Sequence, residues 1–171
     1  MLVGKNRRNR KLNRLKDYDY NLEGFYFVTI CIKDRIEYFG YIKDNKMILN
    51  QYGEIAKKYW QQIPDYYQNV AIDKFIIMPN HVHGIIQITK PVGTGQCPVP
   101  TRVNYGLLSK IVNSFKNMVT KEIRKNFNNY EFQWQRSFYD HIIRNEKVLN
   151  KIYEYIKNNP LIWDRDRNKN V

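Results

Sequence analysis

Residues 70–88 restrict most strongly how this chain can fold. They read VAIDKFIIM, then Pro79 and Asn80, then HVHGIIQI. Two β-branched, apolar runs separated by two turn-forming residues predict a pair of adjacent antiparallel strands joined by a tight turn. The fold must therefore contain an antiparallel sheet with this hairpin in it.

Three other segments have the composition of strands. Residues 25–33, FYFVTICIK, are aromatic and β-branched and predict a buried strand. Residues 37–50 predict a second hairpin with Asp44 and Asn45 at its turn. Residues 137–143, SFYDHII, predict one more strand.

The segments between the strands predict helices. Asn50 can cap a helix that runs to about Gln62, before Pro64. A long helix is predicted from residue 105 to 127, and Asn145 can cap a final helix that ends before Pro160. The apolar side of the long helix consists of Leu108, Ile111, Phe115, Val119 and Ile123. Strands and helices mixed in this order favour an α+β sandwich on a mainly antiparallel sheet.

The length of 171 residues suits one domain. Residues 1–16 carry seven basic side chains and no acid, which predicts a flexible basic arm ahead of a single domain at 17–171. The Pro- and Gly-rich stretch within residues 90–103 has no periodicity, and we expect a mobile loop there.

The charge of the chain points to a polyanionic partner. Lys and Arg number 29 against 16 Asp and Glu, giving a formal net charge of +13. Such a balance suits nucleic acid or an acidic membrane surface, although it can also serve solubility alone. No apolar run is long enough to span a membrane, and the basic start is not a secretory signal. Cys31 and Cys97 lack the spacing of a metal site, which favours two free thiols in a reducing cytoplasm.

His81 and His83 lie two residues apart on a predicted strand, so their side chains share a face that Val82 does not. Two neutral imidazoles on one face can bind a divalent ion, but an exposed polar strand face explains the pair equally well. The histidine-triad nucleotide hydrolases need a third histidine where this chain has Ile85. That class is therefore excluded.

Tyr155 and Asn159 are four residues apart on the final predicted helix and so lie on one face of it. A tyrosine hydroxyl can form a covalent intermediate, and an amide oxygen can bind a hard ion. By spacing alone, the better interpretation is an amphipathic rim residue followed by a polar helix end.

Three stretches together resemble the REP-associated tyrosine transposases, a branch of the HUH single-strand endonucleases. They are MPNHVHGII at 78–86, WQRSFYDHIIRN at 134–145 and YEYIKNNP at 153–160. Residues 15–35 also resemble the family's first strand and the segment before it. The similarity extends from residue 15 to residue 161. It implies a ferredoxin-like α+β sandwich, with helices packed on a mainly antiparallel sheet of four to five strands.

The resemblance also implies roles for individual residues. His81, His83 and Asn159 match the residues that hold a divalent metal, Mg²⁺ or Mn²⁺, and Tyr155 matches the nucleophile. The implied activity is cleavage and rejoining of single-stranded, hairpin-containing DNA through a 5′-phosphotyrosine. His141 matches a family histidine that could support a metal ligand, contact DNA or be structural, with the last favoured. The family's Val-Lys after the proline is replaced by Leu-Ile-Trp at 161–163.

Phosphate contacts are expected from the basic arm and from the basic side of the long helix. The candidate residues are Arg7, Arg8, Arg10, Lys11, Lys110, Lys116, Lys121 and Arg124. Tyr66, Tyr67 and Trp134 are candidates for stacking on unpaired bases. We expect a cytoplasmic, nucleoid-associated monomer or homodimer with no obligate protein partner and no membrane attachment.

Three alternatives remain to be weighed. A domesticated, non-catalytic binder of DNA or RNA hairpins would share the fold and the charge. A replication or conjugation initiator would share the histidine pair, but such proteins commonly carry larger helicase or primase regions than this chain can hold. An endonuclease directed at RNA is not excluded by any residue.

Overall fold

A computed structural model of the chain describes residues 18–89 and 106–165. The predicted basic arm at 1–16 and the predicted loop at 90–103 lie outside these residues. The strands are β1 (Gly24–Cys31), β2 (Gly40–Lys43), β3 (Lys46–Leu49), β4 (Val70–Met78), β5 (His81–Ile88) and β6 (Tyr139–Ile143). The helices are α1 (Gln51–Gln61), α2 (Ile63–Tyr66), α3 (Leu107–Phe127) and α4 (Glu146–Asn158). Short 3-10 helices span Lys33–Arg35 and Asn159–Arg165.

The main sheet has four strands in the order β4-β5-β1-β6, and every neighbouring pair is antiparallel. Helices connect β1 to β4 and β5 to β6 along the chain, while β4 and β5 form a direct hairpin. This order is that of a ferredoxin-like α+β sandwich, which confirms the predicted fold class. The strands β2 and β3 form a separate two-stranded sheet, so the main sheet does not gain a fifth strand.

The hairpin at residues 70–88 has the predicted strands and turn. Met78 pairs with His81 at the closed end, and Val70 pairs with Ile88 at the open end. The register shifts between Ile72 and Phe75, which marks a bulge in β4. Because β4 lies at the edge of the sheet, the bulge disturbs only one ladder of hydrogen bonds.

The second hairpin also turns where the sequence predicts. Asp44 and Asn45 both have positive φ, at 49° and 58°, as a two-residue turn between right-twisted strands requires. The side chain of Asn50 then accepts hydrogen bonds from the backbone of Tyr52 and Gly53 and caps α1. Pro64 does not itself end α1, which stops at Gln61; it lies in the first turn of α2.

The two faces of the sheet carry two different layers. On one face α1 and α3 bury the larger apolar core, which includes Trp60, Phe115 and the even-numbered apolar residues of β1 and β5. On the other face α4 covers a smaller cluster of Phe27, Ile85, Ile143 and Ile156. The histidines of β5 therefore face the α4 layer, since strand side chains alternate.

Gly84, directly after the second histidine, lets Trp60 of α1 pack closely against the sheet. A Cβ at this position would lie 2.2 Å from Cζ2 of Trp60, so any other residue would displace the buried indole.

Among the described residues, no helix is both long and apolar enough to cross a membrane.

Candidate active site

His81 and His83 lie side by side in the interior, on the face of the sheet that α4 covers. Their exposed fractions are 0% and 1%. Val82, between them, belongs to the core on the opposite face. The interpretation of the pair as an exposed polar strand face is therefore wrong.

The ring of His81 is held in one tautomer by Asn80. Nδ2 of Asn80 donates to the carbonyl oxygen of Arg35 at 2.9 Å, which fixes the orientation of the amide. Oδ1 of Asn80 then faces Nδ1 of His81 at 2.8 Å and must accept its hydrogen. The proton of His81 is consequently on Nδ1, and the lone pair on Nε2 points into the site.

His83 is held by its cross-strand neighbours. Its Nδ1 lies 2.8 Å from Oγ1 of Thr29, the residue opposite it in β1. Phe27 stacks on the imidazole with a centroid distance of 5.4 Å. These contacts direct Nε2 of His83 towards Nε2 of His81, and the two atoms are 2.9 Å apart.

The electrostatic setting keeps His81 neutral. Burial lowers its pKa well below the ordinary value of 6.5, and the nearby charges of His83 and Arg35 lower it further. A neutral imidazole has a lone pair for a metal ion, whereas an imidazolium has none. His81 is therefore in the form that a metal ligand requires.

Tyr155 extends from α4, the helix that covers this face of the sheet, to the histidine pair. Its hydroxyl lies 3.1 Å from Nε2 of His83, and its ring meets the faces of Phe27 and His83 edge-on. The side chain is half-buried. The structure thus brings the predicted nucleophile to two of the predicted metal ligands, His81 and His83, although 72 residues separate Tyr155 from His83.

Asn159 follows Tyr155 by one helical turn and keeps helical backbone angles, φ −55° and ψ −42°. Its side chain is completely buried, and neither Oδ1 nor Nδ2 has a hydrogen-bond partner among the described residues. A buried amide without partners is costly unless a ligand satisfies it. In the next turn of chain, Trp163 stacks on His81 at 6.0 Å, which carries this segment to the site.

No cluster of three or more His, Cys, Asp or Glu side chains suited to a metal occurs in residues 18–89 and 106–165. Within the part of the chain that the structure describes, a third ligand beside the histidines would therefore have to be of another type. The unsatisfied amide of Asn159 provides an oxygen of the type that hard cations prefer.

His141 lies in β6 opposite Phe27, and its side chain is exposed on the face of the sheet that also carries His83. It is one strand further from the histidine pair than Phe27 is. The structure does not bring it into the cluster formed by Tyr155 and the two buried histidines.

The basic side of α3 lies in the layer opposite the histidines. Lys110 and Lys121 are exposed there, and Arg124 is half-buried with its guanidinium 5.9 Å from the ring of Tyr130. DNA that contacts both α3 and Tyr155 would have to pass around an edge of the sheet. The four candidates of the basic arm, Arg7, Arg8, Arg10 and Lys11, lie outside the described residues.

Lys116 is a correction to the predicted DNA-binding set. Its side chain is buried, and its ammonium donates to the carbonyl oxygens of Gln135 and Ser137 at 2.9 and 3.2 Å. Burial lowers its pKa to about 8, against an opposing effect of Cys31. Lys116 therefore fastens the segment before β6 to α3 and is not available to a phosphate on the surface.

The three residues predicted to stack on bases differ in their exposure. Tyr66 is exposed at the end of α2, whereas Tyr67 is half-buried and packs against the larger core. Trp134 packs against Phe39 and Phe115, and its indole Nε1 donates to the carbonyl oxygen of Lys116. Trp134 is therefore half-buried and packed against the larger core.

Sequence reasoning missed two residues that orient the histidines, Thr29 and Asn80. Asn80 could have been found, because it directly precedes His81 at the predicted turn. Thr29 could not, because its contact depends on the register between β1 and β5. That register is set when the whole sheet assembles, so no local sequence pattern predicts it.

The chain is similar to proteins of known sequence and to proteins of solved structure. No protein-family model matches it. An uncharacterized protein of Haemophilus influenzae is 44% identical over 168 residues, covering 93% of this chain and 92% of the relative. A second H. influenzae protein, provisionally named a REP-associated tyrosine transposase, is 28% identical over 149 residues, or 84% of this chain and 73% of the relative. Through this second relative, the chain is similar to the REP-associated tyrosine transposases.

A solved structure of this transposase family supports the fold. The REP-associated tyrosine transposase bound to a REP hairpin superimposes with a TM-score of 0.59 over 86% of this chain and 73% of that one. Their sequences are 18% identical, so the likeness concerns the fold. The REP-associated transposase motifs quoted from the sequence, at 78–86 and 153–160, are the segments that build the candidate site.

Proposed function

We propose that the protein is a metal-dependent endonuclease and strand transferase for single-stranded DNA that contains a hairpin. The observation that carries this proposal is the position of the Tyr155 hydroxyl, 3.1 Å from Nε2 of a histidine whose neighbour presents its own Nε2 at 2.9 Å. A tyrosine nucleophile beside two ligand atoms is the arrangement that phosphodiester transesterification needs.

The residues at this point fit a divalent cation. Two adjacent ligands at about 2.1 Å from an octahedral ion lie roughly 3 Å apart, close to the separation of the two Nε2 atoms. Asn159 supplies a buried amide oxygen without a partner among the described residues. We propose His81, His83 and Asn159 as the ligands of Mg²⁺ or Mn²⁺. When bound, the ion polarises a phosphate oxygen and neutralises negative charge that develops there.

The protein's own residues account for the bond changes. The phenol of Tyr155 loses its proton to solvent, and its oxygen forms a bond to phosphorus while the bond from phosphorus to the 3′-oxygen breaks. The 3′-oxygen takes up a proton from water and leaves as a free hydroxyl. The 5′-phosphate remains on Tyr155 as a diester, so the 3′-hydroxyl of another strand can reverse the step and restore a phosphodiester.

The proposed substrate rests on charge and on the relatives. The chain has a formal net charge of +13, which suits nucleic acid. The solved relative is bound to a REP hairpin, and we propose a DNA hairpin with a single-stranded flank for this chain as well. Lys110, Lys121 and Arg124 are proposed phosphate contacts on the α3 layer.

The experiment is the formation of a covalent adduct between the protein and a single-stranded hairpin oligonucleotide in Mn²⁺, detected on a denaturing gel. Tyr155→Phe and His81→Ala should each abolish the adduct. Tyr59→Phe, on the opposite layer of the sheet, is the matched control and should leave it unchanged. Salt-sensitive binding without an adduct from the wild-type protein would instead favour the non-catalytic binder.

A further inference from the structure

The β-hairpin formed by β2 and β3 has one packed face and one exposed face. Met47 and Leu49 are half-buried and pack against the larger core. Side chains alternate along a strand, so the positions between them project away from the core. All four side chains of this second face are exposed: Tyr41, Lys43, Lys46 and Ile48. We refer to these four residues as the exposed hairpin face.

Tyr41 and Ile48 place apolar surface in solvent on this face. They lie directly opposite each other in the antiparallel pair, and their exposed fractions are 56% and 40%. A cross-strand pair of an aromatic and a β-branched residue contributes to the stability of the hairpin. The pairing leaves more than half of Tyr41 uncovered, however. An accessible aromatic ring is a surface on which unpaired bases stack, whatever their sequence.

Lys43 and Lys46 place two positive charges side by side on the same face. They are the pair nearest the turn and lie directly opposite each other. Like charges in this arrangement destabilise a sheet. Within residues 18–89 and 106–165 neither lysine forms an ion pair, and no residue of β2 or β3 is acidic, although Asp44 lies in the turn between them. The exposed hairpin face thus combines an aromatic ring with adjacent cations, as surfaces that bind single-stranded nucleic acid do.

The β-hairpin is attached to the end of the main sheet that carries His81. The backbone N–H of Phe39, directly before β2, donates to the carbonyl oxygen of Pro79 at 2.9 Å, and Pro79 precedes Asn80 and His81 in the turn. On its other side, β3 contacts the 3-10 helix Asn159–Arg165. Trp163 of that helix stacks on His81 at 6.0 Å. The β-hairpin therefore adjoins two of the segments that build the candidate active site.

We propose that the exposed hairpin face binds the single-stranded flank of the DNA substrate, with a base stacked on Tyr41 and phosphates bound by Lys43 and Lys46. This inference rests on the proposed function for the identity of the nucleic acid. A strand that is cleaved by Tyr155 has to pass the His81 end of the sheet, where this face lies. A second copy of the chain fits the face less well, because a formal net charge of +13 on each copy opposes association.

The first test compares two DNA ligands that differ only in the flank. One is a DNA hairpin with unpaired thymidine flanks at both ends, and the other is the same stem without flanks. Binding is measured by fluorescence anisotropy in a Tyr155→Phe background. Tyr41→Ala should weaken binding of the flanked DNA about 5- to 150-fold, the usual range when a stacking aromatic is removed, and leave binding of the unflanked DNA unchanged. Tyr41→Phe keeps the ring and should bind both like Tyr41.

Either of two results of this comparison would overturn the proposal. One is an unchanged affinity of Tyr41→Ala for the flanked DNA. The other is an equal loss for both ligands, because the face would then not recognise the flank. Thermal unfolding checks that the variants fold. If Tyr41→Ala does not fold, Tyr41→Val decides, since valine suits a strand and keeps an apolar contact with Ile48 but has no ring.

The second test measures the phosphate contacts through the salt dependence of binding to the flanked DNA. Lys43→Gln and Lys46→Gln should each reduce the slope of log K against log salt by about 0.7, the value for one phosphate contact on single-stranded DNA. Lys57→Gln removes a lysine from α1 that is already paired with Glu54, and it should keep the slope. Unchanged slopes for both hairpin variants would overturn the phosphate contacts.

Other occupants of the face give different results with the same variants. If Tyr41→Ala loses binding to phosphatidylserine vesicles and keeps its affinity for the flanked DNA, the face binds an acidic membrane surface. If Tyr41→Ala changes only the molar mass in sedimentation equilibrium, the face binds a second copy. Both results would overturn the proposal.

The binding tests separate this inference from the proposed function. A wild-type protein that forms no covalent adduct would contradict the proposed function, and the loss of flank binding in Tyr41→Ala would still support the DNA-binding face. An adduct from the wild-type protein, together with full binding of the flanked DNA by Tyr41→Ala, would support the proposed function and overturn this inference alone.

Discussion

The hydroxyl of Tyr155 and Nε2 of His83 are 3.1 Å apart, and Nε2 of His81 lies 2.9 Å from the same His83 atom. When the proton of His83 is on Nδ1, as metal binding requires, the lone pair on its Nε2 can accept the phenol hydrogen or bind a metal ion. In the absence of metal the phenol can occupy it. An ion bound by the proposed ligands would replace this hydrogen bond and leave the phenol free to turn towards a phosphate.

This competition predicts how Tyr155→Phe affects metal binding. The substitution removes the competing hydroxyl and retains the ring, so the affinity for Mn²⁺ should stay equal or rise by a few fold. Isothermal titration calorimetry of the DNA-free protein measures it. A tenfold or greater loss of Mn²⁺ affinity in Tyr155→Phe would instead mean that the hydroxyl is itself a ligand.

Asn159 should contribute to metal binding at the expense of stability. Asn159→Leu replaces a buried amide without partners in the described residues by an apolar side chain of similar size. Without metal, the free energy of unfolding should rise by about 1–3 kcal/mol, while the Mn²⁺ affinity falls. Asn159→Asp keeps an oxygen ligand and should retain Mn²⁺ binding. A purely structural asparagine would make Asn159→Leu less stable.

The position of α4 on the sheet should depend on the hydrogen bond from Tyr153 to Asp73. Asp73 lies in the bulge of β4 and raises the pKa of Tyr153 to about 12, chiefly through this bond. The apolar cluster under α4 is small. Tyr153→Phe should therefore loosen α4, lower the adduct rate about tenfold and speed amide hydrogen exchange near Tyr155, since a charged hydrogen bond contributes roughly 1.5–3 kcal/mol.

Tyr59 provides a matched control for that prediction. It makes the same type of bond, to Glu122, between α1 and α3 on the opposite layer, and its pKa is likewise raised to about 12. Tyr59→Phe should cost similar stability and leave the adduct rate unchanged. Equal rate losses in both variants would show that only general stability matters.

Lys116 should give stability a measurable pH dependence. Burial lowers its folded-state pKa to about 8, from 10.5 for an exposed lysine. Between these values the unfolded chain binds more protons, so stability rises with pH, by up to about 3 kcal/mol in total. Denaturant unfolding from pH 8 to 10.5 should show this rise relative to Lys116→Met. Parallel curves for the two proteins would contradict the lowered pKa.

Much of the fold could be predicted because its signals are local. The strands at 70–78 and 81–88 and the caps Asn50 and Asn145 appear where the composition indicates them. Lys116 was misplaced because helical spacing puts it on the polar side of α3. Only the tertiary structure brings the carbonyl oxygens of Gln135 and Ser137 to it.

The candidate site was likewise predictable only in part from the sequence. His81 and His83 could be placed on one face from their spacing, and the pairing with Tyr155 and Asn159 came from the family resemblance. The contacts of Thr29, Arg35 and Asp73 depend on strand register, a left-handed turn and a bulge. These features arise when the whole sheet assembles, so no short sequence pattern predicts them.

The most direct test of the account is to locate the covalent link. After reaction with a single-stranded hairpin oligonucleotide in Mn²⁺ and nuclease digestion, peptide mass spectrometry should find a nucleotide attached through its 5′-phosphate to Tyr155. The other product should end in a free 3′-hydroxyl. Cleavage that leaves no protein-bound nucleotide, or a nucleotide attached to a residue other than Tyr155, would contradict it.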